Sequence, residues 1–303
     1  MGLVFDVGGR GDKSFNDAAY AGLDRAKSEL DVTVSTIEMG EGNDREAALR
    51  QLAAGGAQLV FGVGFLFSDD IKALAKEFPA TKFACVDYTV TPGDPLPPNL
   101  TALKFREEEG SFLVGALAAL VSKSNKLGFV GGMEIPLIKK FEAGYRAGVL
   151  AVRPGAQILV KYAGTTGTAF KDPTKGKELA LAEYHDGADI IYHASGSTGL
   201  GVFEAARELH KLAIGVDSDQ YDEAPGTILT SMVKRVDTAV FQTIKEVQAG
   251  QWTGGVQEFG LKEDGVMWVY DGRNRNLVPN AAKATVDSLK AAIIAGTLTV
   301  PTQ

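Results

Sequence analysis

The chain has 303 residues, of which 45% are hydrophobic and 23% are charged, enough apolar material for two domains of ordinary size. Its formal net charge is −7 at pH 7, and it lacks the clustered Lys and Arg that a nucleic-acid or anionic-membrane surface requires. No apolar run is long enough to span a bilayer, and the single Cys85 excludes an internal disulfide.

Short runs rich in β-branched residues alternate with longer runs of helical periodicity, which predicts parallel βαβ units. In the first part of the chain the predicted strands are 3–7, 32–37, 58–63 and 82–86, and the predicted helices are about 15–30, 47–52 and 71–78. We expect Ser14 and Asn43 to cap the first two helices, because each precedes a carboxylate residue by three positions.

The periodicity breaks where four prolines, Pro92, Pro95, Pro97 and Pro98, follow one another closely. We place a connection between two lobes just after them. The same alternation then resumes, with strands at 126–130, 157–162, 189–193 and 213–216 and helices at 141–149, 174–185, 200–209, 237–249 and 281–295. The predicted N-terminal lobe is 1–104 plus about 232–258, and the C-terminal lobe is 105–231 plus about 259–303.

Polar or glycine residues follow the predicted strands directly. In parallel sheets a ligand binds beyond the carboxyl ends of the strands, and the residues there are Asp6, Gly62 to Gly64, Asp87, Gly196 to Gly199, and Asp217. Singly, each is typical of an ordinary turn or helix cap. Their joint placement favours a ligand site with polar groups from both lobes.

The first predicted helix begins with an aromatic residue, Phe15, beside Asp12, Lys13, Ser14 and Asn16. One interpretation is a hydrophobic staple onto the following turn. The other is a ring held out for a ligand.

Catalytic motifs do not assemble in this sequence. His185, His193 and His210 share no metal-ligand spacing, and Gly62 and Gly64 lack the third glycine of a dinucleotide fingerprint. Neither a P-loop nor a Gly-x-Ser-x-Gly elbow occurs. We therefore expect a binding protein with no enzymatic activity, no metal and no cofactor.

The segment from Asp6 to Asn16, DVGGRGDKSFN, closely resembles the opening motif of the basic membrane protein family of ABC-transporter substrate-binding lipoproteins, the purine nucleoside receptor type. Further segments resemble the same family in the same order, and the resemblance covers nearly the whole chain. They are GVGF from Gly62, FACVD from Phe83, FKDPTKGK from Phe170, GVD from Gly215 and SMVK from Ser231.

This resemblance implies an α/β protein with the type I periplasmic-binding-protein fold, in which two doubly wound parallel-sheet lobes are joined by a three-crossing hinge. It also implies a set of ligand contacts. Phe15 and Phe170 would sandwich a purine base, and Asp6 and Asn16 would bond its polar edge. The ribose would be held by Asp87, Gly196, Asp217 and Lys234.

The implied function is capture of a purine nucleoside (inosine, guanosine or adenosine) between the lobes and its delivery to a membrane permease. Three aspartates, Asp6, Asp87 and Asp217, would repel a 5′-phosphate, which favours nucleosides over nucleotides. We expect Lys234 to offset part of this acidic charge. The resemblance further implies a monomeric, extracytoplasmic lipoprotein that touches the membrane only through a lipid anchor, although Met1 stands almost on the first strand with no signal peptide before it.

Other functions are compatible with the same residues. A soluble nucleoside sensor, or the effector-binding module of a transcription regulator, would use the same two-lobed fold. A different flat aromatic ligand such as riboflavin could occupy an aromatic sandwich. An enzyme such as a nucleoside hydrolase or dehydrogenase is indicated only by the aspartates at the strand ends. The sequence does not discriminate among the purine nucleosides.

Overall fold

The chain alternates between two structural units. The computed structural model describes residues 1–39 and 44–303. Unit 1 comprises Met1–Phe105 and Arg235–Phe259, and unit 2 comprises Arg106–Lys234 and Gly260–Gln303. The chain therefore passes from one unit to the other three times, after Phe105, Lys234 and Phe259. In the part of the chain that the structure describes, no helix combines the length and apolar character needed to cross a membrane.

Strands and helices alternate along most of the described chain. The strands are β1 (Gly2–Val4), β2 (Ser35–Ile37), β3 (Leu59–Val63), β4 (Lys82–Val86), β5 (Leu100–Phe105), β6 (Lys126–Met133), β7 (Gln157–Gly164), β8 (Ile190–Ala194), β9 (Leu212–Asp217), β10 (Ile228–Lys234), β11 (Gly255–Phe259) and β12 (Val266–Trp268). The helices are α1 (Phe15–Glu29), α2 (Arg45–Ala54), α3 (Ser68–Glu77), α4 (Glu107–Val121), α5 (Pro136–Val152), α6 (Pro173–His185), α7 (Gly199–Glu208), α8 (Val236–Gln248) and α9 (Asn280–Ile294).

Each unit contains one six-stranded sheet. The order is β11-β5-β4-β3-β1-β2 in unit 1 and β12-β10-β9-β8-β6-β7 in unit 2. All neighbouring strands are parallel except β12, which runs antiparallel to β10. Counted from the β11 or β12 edge, β4 and β9 hold the same position, and so do β3 and β8. The two units are therefore similar in topology, which confirms the predicted pair of doubly wound lobes.

The central strands are buried because helices cover both faces of each sheet. Every residue of β3 and of β8 is buried. In unit 1 the apolar stripes of α2 and α3 supply Leu49, Leu52, Ile71 and Leu74 to the same core cluster as Val60 and Phe83. The helical spacing of these leucines and isoleucine in the sequence is the pattern that such packing requires.

Every predicted strand and helix overlaps an observed one, but β5, β10 and α4 were not predicted. The reason for α4 is physical. Nearly all its residues are buried, including Leu113, Ala116, Leu117 and Ala118, so it shows no polar face and no helical alternation. The short edge strands β11 and β12, of five and three residues, were also missed.

Helices α4 and α5 pack backbone against backbone in unit 2. A Cβ added to Gly144 would overlap the carbonyl oxygen of Glu108, and one added to Gly148 would overlap that of Phe112. On the opposite helix, a Cβ on Gly115 would overlap the carbonyl oxygen of Tyr145. These glycines allow the two helices to approach more closely than side chains would permit.

A carboxyl group, that of Glu183, is buried in the core of unit 2. Glu183 belongs to α6 and is fully buried, and its carboxyl lies against Gly128 of β6, where a Cβ would overlap it. Burial raises the pKa of Glu183 to about 9, although the positive charge of Lys161 opposes this shift. Glu183 is therefore neutral in the folded protein at pH 7.

This burial predicts an unusual pH dependence of stability. The pKa of Glu183 is higher in the folded state than in the unfolded chain, so its contribution is complete at acid pH and is lost as the pH rises towards about 9. Glu183→Gln, a neutral side chain of the same shape, should not show this loss. Its free energy of unfolding should therefore rise relative to that of wild type between pH 5 and pH 9, by up to about 1.4 kcal/mol per pH unit. Its melting temperature should rise with it.

Thermal unfolding followed by circular dichroism at pH 5, 7 and 9 measures this difference. Glu178→Gln is the matched control, because Glu178 lies on the same helix with 67% of its side chain exposed, paired to Lys175. A constant gap between Glu183→Gln and wild type across this range would show that Glu183 ionises in the folded protein near its ordinary pKa.

Candidate ligand-binding site

Two aspartates occupy equivalent strand ends in the two units. Asp87 directly follows β4, and Asp217 is the last residue of β9. Both have left-handed backbones, with φ of 60° and 64°, and both are largely buried. Aspartate tolerates this region better than most residues, yet the conformation still costs energy. Strain repeated at the same place in both units is typical of positions that serve a function.

Asp6 lies two residues beyond β1 in unit 1 and is held by its neighbours. The backbone N–H of Asp6 donates to Asn16 Oδ1 at 2.9 Å, and the N–H of Val7 donates to Asp6 Oδ1 at 2.7 Å. Gly64, after β3, has φ of 113°, and a Cβ there would overlap Asp6 Oδ2. The structure thus brings together Asp6, Asn16 and Gly64, which are distant in the sequence.

The carboxyl of Asp6 is poised between its two protonation states. Burial raises the pKa of Asp6 to about 7; the hydrogen bond from Val7 and the charge of Arg45 oppose the rise, and Asp87 adds to it. Near neutral pH, Asp6 can therefore either donate or accept a hydrogen bond. Such a group suits a ligand edge that carries both donors and acceptors.

The start of α1 is capped by Asp12, and the prediction that Ser14 caps it is wrong. Ser14 makes no capping side-chain hydrogen bond. Instead Asp12 accepts from the N–H groups of Ser14, Asn16 and Asp17 at 2.8 to 3.1 Å. Lys13, at φ of 56°, sits in the turn between Asp12 and the helix. The Asp12 carboxylate therefore satisfies the N–H groups that Ser14 was expected to serve.

Asp12 also fixes the side chain of Asn16. Asn16 Nδ2 donates to Asp12 Oδ2 at 3.0 Å, while its Oδ1 accepts from Asp6. Each end of the amide can make one further hydrogen bond. Phe15, the first residue of α1, is partly exposed, unlike the buried residues on either side of it.

The second helix of unit 1 begins at a different residue from the one expected. Asp44 caps α2, accepting from the N–H of Glu46 at 2.9 Å. The predicted cap, Asn43, lies outside the described residues.

Phe170 and Gly196 lie together in unit 2. Phe170 ends a short 3-10 turn after β7, and a Cβ on Gly132 of β6 would overlap its ring. A Cβ on Gly196 would come within 2.8 Å of the Phe170 carbonyl oxygen. The hydroxyl of Ser197 donates to the same oxygen at 3.2 Å. Gly132 of β6 and Gly196, which follows β8, thus make room for one aromatic residue.

Gln220 joins three strand ends of unit 2, and sequence reasoning did not identify it. Its Oε1 accepts from the N–H of Val216 at 2.8 Å and pairs with His193 Nε2 at 3.0 Å, and its own N–H donates to Ser231 Oγ at 3.1 Å. These contacts connect β8, β9 and β10. Asp217 and Lys234 end β9 and β10, and Gly196 lies two residues beyond β8. Only the folded sheet brings these residues together.

His193 in this network is a neutral, buried side chain. Burial lowers its pKa to about 4, and since Gln220 Oε1 accepts, the ring proton is assigned to Nε2. Nδ1 then faces Ser195 Oγ at 3.3 Å. Ser195, His193 and Gln220 are thus linked in the order of a serine nucleophile, its histidine base and a group that orients the histidine. Both Ser195 and His193 are completely buried, and their hydrogen bonds connect the end of β8 to Gln220.

Lys234, the last residue of β10, is paired inside unit 2. Its Nζ lies 3.0 Å from Glu107 Oε1, and both side chains are 1% exposed. That Lys234 offsets the aspartates stays a prediction, and Glu107, which also pairs with Lys140, is a second carboxylate beside it.

Among the described residues, neither a metal-binding cluster nor an exposed thiol lies beside these groups. Within residues 1–39 and 44–303, no cluster of three His, Cys, Asp or Glu side chains is arranged to hold a metal ion. Cys85 is buried in β4, and burial raises the pKa of its thiol. The predicted contacts thus form two groups: Asp6, Phe15, Asn16 and Asp87 in unit 1, and Phe170, Gly196, Asp217 and Lys234 in unit 2.

The two parallel sheets and the three chain crossings define a type I periplasmic-binding-protein fold, the class to which solute receptors of ABC importers belong. The chain belongs to the Bmp family, ABC transporter substrate-binding proteins that are PnrA-like, whose model matches residues 1–303. Proteins of this class bind a small ligand outside the cytoplasm and present it to a membrane permease.

Relatives and solved structures agree with this family. The chain is 35% identical to Basic membrane protein A of Borreliella afzelii, over 99% of this chain and 91% of the relative. It is 32% identical to the ABC transporter nucleoside-binding protein BmpA of Lactococcus lactis subsp. cremoris, over 99% and 88%. The crystal structure of an ABC transporter solute-binding protein from Aeropyrum pernix has a TM-score of 0.89 and 31% identity, covering 100% of this chain and 93% of that one.

One similar structure carries a different kind of name. A protein described as a transcriptional activator of the comK gene from Bacillus halodurans has a TM-score of 0.82 and 26% identity, with 99% of both chains covered. The fold is therefore shared by proteins with transport names and proteins with regulatory names.

Proposed function

We propose that this protein captures an unphosphorylated purine nucleoside and delivers it to a membrane permease without changing it chemically. The observation that carries this proposal is the pair of strained aspartates, Asp87 and Asp217, at equivalent strand ends. Carboxylates accept strongly from vicinal hydroxyls such as those of ribose. The nucleoside-binding name of the Lactococcus lactis relative supports the same ligand class.

The unit 1 group and the unit 2 group would share one ligand. Phe15 and Phe170 would stack on the two faces of the base, which gives affinity for any flat ring. Asp6 and Asn16 would bond its polar edge, and the dual character of Asp6 matches a purine that offers both donors and acceptors. Asp87, Gly196, Asp217 and Lys234 would hold the ribose.

The retained ligand identifies the substrate class directly. Purified protein is denatured, and the released small molecules are separated and identified by mass spectrometry, with buffer from a mock purification as the control. We expect inosine, guanosine or adenosine in an amount comparable to the protein. Release of riboflavin or another flat compound in that amount would assign the aromatic pair to a different ligand.

We predict that a 5′-phosphate weakens binding. Asp87 and Asp217 would place negative charge near the sugar, whereas Lys234 is balanced by Glu107. A charge repulsion of about 1 to 3 kcal/mol corresponds to AMP binding roughly 5 to 150 times more weakly than adenosine. Isothermal titration calorimetry of both ligands measures this ratio. The ratio of adenosine affinity to AMP affinity should decrease towards one at high salt, because salt screens the repulsion. Equal affinities at low salt would contradict an acidic ribose site.

A nucleoside sensor is the second candidate, favoured by the similarity to the comK activator structure. A transport role and a sensing role give different outcomes in cells. Deleting the gene should abolish uptake of radiolabelled inosine if the protein serves an importer. Unchanged uptake together with altered transcription would favour the sensor.

A further inference from the structure

A row of alternating charges is buried in unit 2 beside the end of β10. Lys234 Nζ lies 3.0 Å from Glu107 Oε1, and Lys140 Nζ lies 2.6 Å from Glu107 Oε2 and 3.2 Å from Glu108 Oε2. Glu107 thus stands between two lysines and uses a different carboxylate oxygen for each. The row contains two positive and two negative groups, so its formal charge is zero.

The position of Glu107 favours the ionised form of the row. Glu107 is the first residue of α4, where the helix dipole stabilises a negative charge. Burial opposes ionisation, but the charges of Lys234 and Lys140 lower the pKa of Glu107 below its ordinary value. A buried ammonium without such a partner would lose its proton or destabilise the fold. Glu107 therefore supplies Lys234 with a negatively charged partner although Lys234 is almost completely buried.

Glu107 also limits where the Lys234 ammonium can stand. The ring of Phe141 lies on another side of it, with its centroid 5.6 Å from Nζ. A lysine side chain has four rotatable bonds, and fixing it in advance reduces the entropy lost when a ligand binds. The carboxylate and the ring together confine the ammonium near the strand end.

We propose that Glu107 is a positioning residue that holds Lys234 charged and oriented for the ribose, and so sets the preference for a nucleoside over its free base. This inference rests on the proposed function, in which Lys234 contacts the ribose. Glu107 itself would not touch the ligand. Its effect should appear in the ribose part of the binding energy and should be absent from binding of the base.

The neighbouring residue provides a matched control. Glu108 lies in the same turn of α4, is also buried, and pairs with Lys140. Glu108→Gln removes the same charge from the same helix turn as Glu107→Gln does. A general loss of stability in unit 2 would affect both variants alike, whereas loss of Lys234 positioning would affect only Glu107→Gln.

The experiment is calorimetric titration of wild type, Glu107→Gln and Glu108→Gln with inosine and with hypoxanthine, after ligand removal and refolding. We expect Glu107→Gln to weaken inosine binding by about 10- to 100-fold while changing hypoxanthine binding by less than about threefold. The ratio of inosine affinity to hypoxanthine affinity should therefore decrease in Glu107→Gln and remain near the wild-type ratio in Glu108→Gln. An unchanged ratio in Glu107→Gln would overturn the inference.

Two further outcomes are informative. If Glu107→Gln does not fold, the double variant Glu107→Gln/Lys234→Met is compared with Lys234→Met, because both lack the buried Lys234 ammonium that Glu107 faces. Equal ratios of inosine affinity to hypoxanthine affinity in these two variants support positioning through Lys234, and unequal ratios overturn it.

If wild type binds neither inosine nor another purine nucleoside, the proposed function fails and the inference fails with it. Wild-type binding with an insensitive Glu107→Gln overturns the inference alone.

Discussion

Replacing either Phe15 or Phe170 with alanine is expected to weaken purine nucleoside binding by about 5- to 150-fold, the worth of one stacked base face. Phe15 is partly exposed at the start of α1, so its loss should change affinity much more than stability. Phe170 packs on Gly132, so Phe170→Ala should also lower the melting temperature slightly. Calorimetric titration with inosine measures the loss of affinity in each variant. In the double variant the loss of binding free energy should approach the sum of the two single losses.

The matched controls retain either an aromatic ring or only an apolar side chain without a ring. Phe15→Tyr and Phe170→Tyr retain an aromatic face and should bind within a few-fold of wild type, whereas Phe15→Leu and Phe170→Leu should resemble the alanine variants. Unchanged affinity in both alanine variants would contradict the aromatic sandwich. Equal losses in the tyrosine and leucine variants would indicate a shape requirement instead of stacking.

Gly148→Val should destabilise unit 2 by about 3 kcal/mol or more, since the added side chain meets backbone and cannot be accommodated by a rotamer change. A Cβ at Gly148 would overlap the carbonyl oxygen of Phe112 and would lie 2.9 Å from the nitrogen of Ala116. Helices α4 and α5 would have to separate. Thermal unfolding should show a melting temperature about 10 °C lower than wild type.

Gly155→Ala is the control for this substitution. Gly155 follows α5, and a Cβ there would meet nothing within 4 Å. The alanine variant should melt within about 2 °C of wild type. A Gly148→Val protein that melts with wild type would show that α4 and α5 do not depend on close backbone contact.

Alternation of apolar runs was sufficient to predict most of the fold. The segment 82–86 was predicted as a strand with the bounds that β4 has, because its residues from Phe83 to Val86 form the apolar run of a buried parallel strand and a polar residue, Asp87, follows. Helix α4 escaped prediction because burial on all sides removes periodicity. Local patterns therefore locate helices that have one polar face and short apolar strands, and they fail for a helix that is enclosed in the core.

The candidate site was predictable only where residues follow strands. Asp6, Asp87 and Asp217 could be chosen from the sequence because parallel strands end at one edge of a sheet. The cap at Asp12 could not, since it depends on the left-handed turn at Lys13. Gln220 and Glu107 were also missed, because their partners, His193 and Lys234, approach them only in the folded unit.

Motif resemblance and structure contribute different parts of the account. The motif from Asp6 to Asn16 indicated a nucleoside receptor, and the whole-chain family match establishes the substrate-binding class. The structure adds the reasons why individual residues are suited to their proposed contacts. Asp6 has a pKa near 7, and Lys234 has an internal counter-ion.

The most direct test is calorimetric titration of ligand-free wild-type protein with inosine, guanosine and adenosine, beside uridine and riboflavin. The protein is unfolded, dialysed and refolded first, so that a retained ligand cannot mask the site. We expect at least one purine nucleoside to bind at one site per chain, at least about tenfold more tightly than uridine or riboflavin. Tight binding of riboflavin with no heat from any purine nucleoside would contradict the proposed function.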